Sequence, residues 1–346
     1  MRALFLVEAG RRVGMGHLMR CRSLMLELER SGADIELWLK GDPEATSGRA
    51  WPAGIRIHAN PDSLTLTQAE GALEAMLSEC RADWVVADGY GFHGHRLHDI
   101  ATSYRAGLLV VDDVPERTLT ADIILNQNLS DEEAYATSQL RAKRYLLGTR
   151  YALIAKEYRE AKWRPIDHVA LQRILVTFGG LDARGLSEKV VNALDTLSGT
   201  FEIDVVVGPF HPFEDELRRH RGPHDIRVHK GLSSLAPLME ACDLMISAAG
   251  STTWEACCVG APLVLIQTQG NQAEVVNTVR AAGAGVCLDA TKLLAMGDET
   301  LTETIVESVT SASDREMRKA YSERAKRLVD GHGAERVVAA MREHKI

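Results

Sequence analysis

The 346-residue chain carries 40 Lys plus Arg against 48 Asp plus Glu, a formal net charge of −8, with 45% apolar and 25% charged residues. At about 150 residues per domain this points to two ordinary globular domains and argues against a disordered chain. An acidic chain without a long basic run argues against nucleic acid as a partner, so a bound anion has to be held by glycine loops and helix N-termini.

The longest wholly apolar runs, such as Ala261 to Ile266, are far shorter than a membrane span, and Glu8 interrupts the N-terminal run too early for a signal peptide. Cys21, Cys80, Cys242, Cys257, Cys258 and Cys287 show no Cys-x-x-Cys spacing and lie in or beside apolar segments. The expectation is a cytoplasmic protein with reduced thiols, no membrane contact and no zinc site. The sequence assigns no oligomeric state and is compatible with a monomer.

In chain order, short β-branched runs alternate with longer amphipathic stretches, the signature of parallel βα units. The first half predicts strands at Ala3–Val7, Ile35–Leu39, Trp84–Asp88, Leu108–Asp112 and Ile123–Asn126, with helices near 17–31, 66–82 and 94–106. Cys21, Leu24, Met25 and Leu28 share one face of the first helix, and Gly32 supplies its stop. The pattern breaks at Lys162-Trp163-Arg164-Pro165. Strands then follow at Ile174–Phe178, Ile203–Val207, Ile226–Val228, Leu244–Ser247 and Leu263–Ile266, with helices near 184–196, 234–242, 252–259 and 271–283. Three charged helices close the chain near 299–311, 314–330 and 333–343. The fold class expected is α/β: two doubly wound Rossmann-like domains facing a cleft, residues 1–163 and 164–346, with the terminal helices packing back towards the first domain. In such sheets ligands sit beyond the carboxyl ends of the strands, so residues just after each strand matter most.

Gly14-Met15-Gly16-His17 follows the first strand and opens a helix. Two glycines let backbone approach a ligand, and free N–H groups at the helix start favour negative charge. The positive helix end disfavours a charged imidazole at His17, leaving it able to accept a proton. Arg20 lies one turn on, on the same side. This is not a dinucleotide fingerprint: Met19 replaces the third glycine, and Lys40 follows the second strand where an acidic residue is needed. In the second half Gly179-Gly180-Leu181-Asp182 follows a strand, and Ser247-Ala248-Ala249-Gly250-Ser251-Thr252-Thr253-Trp254-Glu255 suits a helix start wrapped around a phosphate. Glu255, one turn in, can accept hydrogen bonds from both hydroxyls of a ribose.

With Gly260-Ala261-Pro262 and Gln269-Gly270-Asn271-Gln272, this stretch resembles the UDP-sugar site of GT-B glycosyltransferases, especially the peptidoglycan N-acetylglucosaminyl transferase. Adding Gly14-Met15-Gly16-His17-Leu18-Met19-Arg20-Cys21, Asp88-Gly89-Tyr90-Gly91, Asp112-Asp113, Leu125-Asn126-Gln127-Asn128 and the segment Gly148 to Ile154 narrows the match. The ordered set, over about residues 1–285, is similar to the UDP-2,4-diacetamido-2,4,6-trideoxy-β-L-altropyranose hydrolases of pseudaminic acid biosynthesis. Glu8, Met15 and Leu181 depart from that pattern.

The resemblance implies a GT-B fold and metal-independent hydrolysis of a UDP-linked diacetamido sugar, with no cofactor. His17 would activate the water that attacks the anomeric carbon with inversion, and helix-terminal donors would stabilise the departing UDP. Gly14, Gly16, Arg20, Asp88, Tyr90, Asn126 and Asn128 would contact sugar or phosphate. Gly179, Gly180, Leu232, Gly250, Ser251, Thr252, Thr253, Glu255 and Gln272 would hold UDP, uracil meeting backbone near Gly231-Leu232. The alternative is an inverting GT-B glycosyltransferase with a sugar hydroxyl in place of water. Against a lipid-carrier acceptor stands the lack of an apolar and basic run between Ala33 and Ile100. A second alternative is a catalytically silent nucleotide-sugar-binding subunit. His93, His95, His98 and Asp99 form a tempting metal cluster that reads as a solvated helix face. Asp112 and Asp113, adjacent at a strand end, point opposite ways and cannot easily share one ion.

Overall fold

The computed structural model describes residues 1–48, 50–60, 66–92, 95–113, 119–129, 135, 140–163 and 170–344. The chain divides into two compact units, residues 1–155 with 331–346, and residues 156–330.

The first unit holds a seven-stranded sheet of β1 (Arg2–Ala9), β2 (Asp34–Gly41), β3 (Arg56–Asn60), β4 (Trp84–Asp88), β5 (Gly107–Val111), β6 (Leu119–Asn126) and β7 (Leu140–Leu147). Every pairing is parallel, in the order β3-β2-β1-β4-β5-β6-β7. The order reverses between β1 and β4, which makes the carboxyl ends of these two strands the switch point where such sheets bind ligands. Helix α1 (Gly16–Arg30) follows β1. Its Leu18, Cys21, Leu24, Met25 and Leu28 are wholly buried, each large side chain contributing about 1.5–3 kcal/mol by leaving water. Gly32, at φ +78°, ends the helix while the Ala33 N–H reaches back to the Leu28 carbonyl at 3.0 Å.

The second unit holds β8 (Arg173–Thr177), β9 (Glu202–Val207), β10 (Asp225–Lys230), β11 (Leu244–Ala248), β12 (Leu263–Gln267) and β13 (Gly285–Asp289), parallel in the order β10-β9-β8-β11-β12-β13. Its switch point lies between β8 and β11. One core joins Ile174, Val176, Ile203, Val205, Leu244 and Ile246 to helix residues such as Val190, Leu194 and Ile305.

The boundary between the units differs from the sequence reading. The units part at residues 155/156 rather than 163/164, because Trp163 belongs to the second: its backbone N–H reaches the Val259 carbonyl at 3.0 Å and its indole N–H the Cys242 carbonyl at 2.7 Å. The last helix, Gly333–Glu343, groups with the first unit, where Arg342 Nη2 donates to the Ser31 carbonyl and Arg336 Nη1 to that of Arg150. Three strands went unread: β3, β7 and β13, each at a sheet edge. All six cysteines are free, five of them buried. Among the described residues no helix is long and apolar enough to cross a membrane.

Candidate functional site

In the first unit, β1 delivers the chain into a tight loop closed by two hydrogen bonds, Gly10 N to Gly14 O at 3.0 Å and Gly14 N to Gly10 O at 2.8 Å. Gly14 takes φ +77°, a conformation that suits glycine. Met15, at the helix N-cap, offers no side-chain cap, so α1 opens with N–H groups not capped by its own preceding side chain.

His17 sits in the first turn with its side chain only 9% exposed. Its Nε2 lies 3.9 Å from Asp113 Oδ2, and the Tyr90 and His17 rings meet in a T-shaped contact with centroids 5.0 Å apart. The other nitrogen, Nδ1, is buried without a hydrogen-bond partner among the described residues. A buried polar atom left so costs about 1–3 kcal/mol, and a water or ligand hydroxyl would relieve it.

Arg20, one turn later, is buried between two carboxylates. Its Nε and Nη2 grip Asp88 Oδ2 and Oδ1 at 2.6 and 2.7 Å, and Nη1 reaches Asp113 Oδ1 at 2.7 Å. Burial alone would raise the Asp88 carboxyl, but Arg20 and, less strongly, His17 hold it below the usual carboxylate range. The same pairing outweighs burial at Arg20 and fixes its charge. Two carboxylates against one guanidinium leave net negative charge beside His17. Asn128 Nδ2 also donates to Asp113 Oδ1 at 3.0 Å.

Several residues read as sugar or phosphate contacts are hydrogen-bonded within the unit. Arg20 and Asp88 spend their hydrogen bonds on one another, and the Cys21 thiol adds to Asp88 at 3.3 Å. Asn126 Nδ2 donates to the Tyr135 hydroxyl at 2.8 Å, while its Oδ1 accepts the N–H groups of Asn128 and Leu129. Asn126 therefore shapes the loop that carries Asn128. Asp112 and Asp113 do diverge: Asp112 accepts the Tyr135 hydroxyl at 3.0 Å, and Asp113 joins Arg20 and His17. Asp113 carries more of the site than the sequence reading gave it, and its place just beyond β5 was the available signal. In the tempting histidine cluster, His93 and the His95 side chain lie outside the described residues; no metal-holding group of three or more His, Cys, Asp or Glu occurs among the described ones.

In the second unit the helix Thr252–Val259 follows β11, and its N-cap residue Ser251 makes no side-chain cap. Gly250 has open space where a Cβ would stand. Thr253 is wholly buried, and its Oγ1 has no hydrogen-bond partner among the described residues. Glu255 is buried near Tyr158, whose hydroxyl accepts the Leu235 N–H at 3.2 Å. Burial first, and then the Glu255 charge, push the Tyr158 phenol far above its ordinary value. Tyr158 lies in the short helix Lys156–Glu160, and no motif in the sequence marked it.

Gly179 is unobstructed at φ +78°, whereas Gly180 is packed so closely against Gly208 that a Cβ on Gly208 would overlap its backbone. Asp182 accepts the N–H groups of Leu186 and Ser187 at 2.8 Å each and lies 3.2 Å from His211 Nε2. Burial opposes its ionisation, yet these partners hold the carboxyl below the usual range. Gln272 Oε1 accepts from Thr268 N at 2.7 Å and Thr268 Oγ1 at 3.1 Å, and so braces its own loop. Leu232 is half-buried beside Gly231, which adopts φ +72°.

Residues 173–331 match the glycosyltransferase family 28 C-terminal domain. An uncharacterised protein of Methanocaldococcus jannaschii is 25% identical over 285 residues, covering 79% of this chain; the chain spans 57% of that protein's length. The spore coat polysaccharide biosynthesis protein SpsG of Bacillus subtilis is 24% identical over 341 residues, covering 97% of this chain and 96% of its own. Among solved structures, MurG of Acinetobacter baumannii superposes with a TM-score of 0.69 at 15% identity, over 99% of this chain and 100% of that one. The spinosyn rhamnosyltransferase SpnG, complexed with thymidine diphosphate, gives 0.65 at 16% identity, over 98% and 100%. The fold is the GT-B arrangement of two Rossmann-like domains.

Proposed function

We propose that this protein processes a nucleoside-diphosphate sugar in glycan biosynthesis, with His17 as the base for an oxygen nucleophile. The observation that carries the reading is the buried, unpartnered Nδ1 of His17, backed by a carboxylate facing Nε2. As the nucleophile's oxygen bonds to the anomeric carbon, its proton passes to Nδ1. The bond from that carbon to the diphosphate oxygen breaks, and its electron pair leaves with the nucleotide, inverting the centre. Asp113, anchored by Arg20 and Asn128, stabilises the imidazolium. Tyr90 lines the sugar's side of the base. The second unit takes the nucleotide, here assigned as UDP: its diphosphate at Gly250, Ser251, Thr252 and Thr253, with Gly179 alongside, its ribose at Glu255 and its base near Leu232.

Transfer to a sugar hydroxyl is the reading that the family 28 match and the glycosyltransferase neighbours support. A second reading, attack by water on a UDP-diacetamido sugar, has its own support: the motif run from Gly14 to Ile154, and a base whose 9% exposure suits a nucleophile as small as water. Incubation with UDP-sugar alone separates them. Stoichiometric release of UDP and free sugar marks hydrolysis; release only with an added glycan acceptor marks transfer. His17→Asn should keep UDP binding by calorimetry and lose about 10²–10⁴-fold in turnover. Near-normal kcat in that variant would remove His17 as the base.

A further inference from the structure

The buried charge at the end of β1 has no part in the chemistry above. Glu8 is 6% exposed, and its Oε1 accepts from Lys40 Nζ at 2.9 Å, the residue opposite it in the β1–β2 register. Its Oε2 accepts the Gly91 N–H at 2.9 Å. Burial would raise this carboxyl, but Lys40 and the backbone N–H groups of Gly91 and Tyr90 hold it below the usual range. The turn Gly89-Tyr90-Gly91 is moulded onto this carboxylate. A Cβ on Gly89 would lie 2.7 Å from Glu8 Cγ, and one on Gly91 would overlap Glu8 Oε1. The single side chain the turn presents, Tyr90, packs on His17 in a T-shaped ring contact.

We infer that Glu8 and Lys40 are a positioning pair for Tyr90, setting the ring that walls the sugar's side of the base and so tuning which sugars the enzyme accepts. The inference rests on the proposed reaction for its effect on substrate, though not for the contact itself. Lys40 neutralises Glu8, so the carboxylate can stay buried and hold two turn N–H groups. A Gln at position 8 keeps the size but sets an amide against the ammonium. The turn then loosens, and Tyr90 moves off the imidazole.

The test uses the full chain and two readouts. The first is the His17 ring resonances in a ¹H–¹³C correlation spectrum, assigned by their loss in His17→Asn. Glu8→Gln and Lys40→Met should each shift them in the direction that Tyr90→Ala does. The second is kinetic. Glu8→Gln should raise KM for the UDP-sugar by about tenfold with a smaller change in kcat, and this effect should vanish in a Tyr90→Ala background, as coupling through one residue requires. Lys40→Met serves should Glu8→Gln fail to fold. Unmoved His17 resonances in both variants, or a KM effect that is the same with and without Tyr90, would overturn the pair's role. Shifted resonances with no UDP-sugar consumed by any form, wild type included, would leave the pair standing and overturn the proposed reaction.

Discussion

The two units present their candidate sites in different materials. In the first, the strand ends after β1, β4 and β5 converge through side-chain charge: Glu8 with Lys40, and Arg20 with Asp88 and Asp113 beside His17. In the second, the ends of β8 and β11 offer mainly backbone and hydroxyl groups, with unobstructed glycines at 179 and 250 and a buried threonine hydroxyl. Moving a proton needs titratable groups whose partners set their charge, whereas gripping an anion needs donors aimed from fixed backbone. The contrast fits the proposed function, in which one unit binds the leaving group and the other does the chemistry.

The most severe way to break the contrast is Asp88→Asn. It removes one of the two carboxylates holding a buried guanidinium, which should cost about 3–5 kcal/mol of first-unit stability in denaturant unfolding while UDP affinity of the second unit is retained. Loss of both together would show that the units do not divide the work. Next in size, Gly250→Ala fits sterically, so it should leave Tm unchanged yet weaken UDP binding by about tenfold if backbone there approaches the diphosphate. Unaltered UDP affinity by calorimetry would remove Gly250 from the site. The mildest effect comes from acid. Glu8, Asp88 and Asp122 in the first unit have depressed carboxyl pKa values, against the buried Asp182 and the half-buried Glu214 in the second. A depressed pKa in the folded state means stability that is complete above the unfolded value and lost as pH falls through the folded one. Hydrogen exchange between roughly pH 5 and pH 3 should therefore show the first unit loosening before the second.

How much of this was legible in the sequence follows burial. Strands with wholly buried cores, such as Trp84–Asp88 and Leu244–Ala248, are apolar runs that announce themselves. Those that went unread lie at edges. Arg56–Asn60 and Leu140–Leu147 carry charges that keep an open edge soluble, and Gly285–Asp289 is only half-buried, so none shows a two-residue alternation. At the site, glycines and His17 could be read because their position after a strand implies a role. The assignment of Arg20, Asp88 and Asn126 to substrate could not be checked from sequence, since nothing in it tells whether a polar side chain meets a ligand or a neighbour 68 positions away, as Arg20 meets Asp88. Lys40 is the instructive case. Its charge spoke against a dinucleotide fold, but its partner on the adjacent strand becomes evident only once the register pairs it with Glu8.

The closing helix, Gly333–Glu343, belongs with a unit whose other residues all precede position 156. During synthesis, residues 156–330 are complete before that helix has been made. The half that emerged first still waits for its final piece when every residue of the second has been joined. A chain ending short of Gly333 would thus hold every residue of the second unit and lack the helix that binds the Ser31 and Arg150 carbonyls in the first.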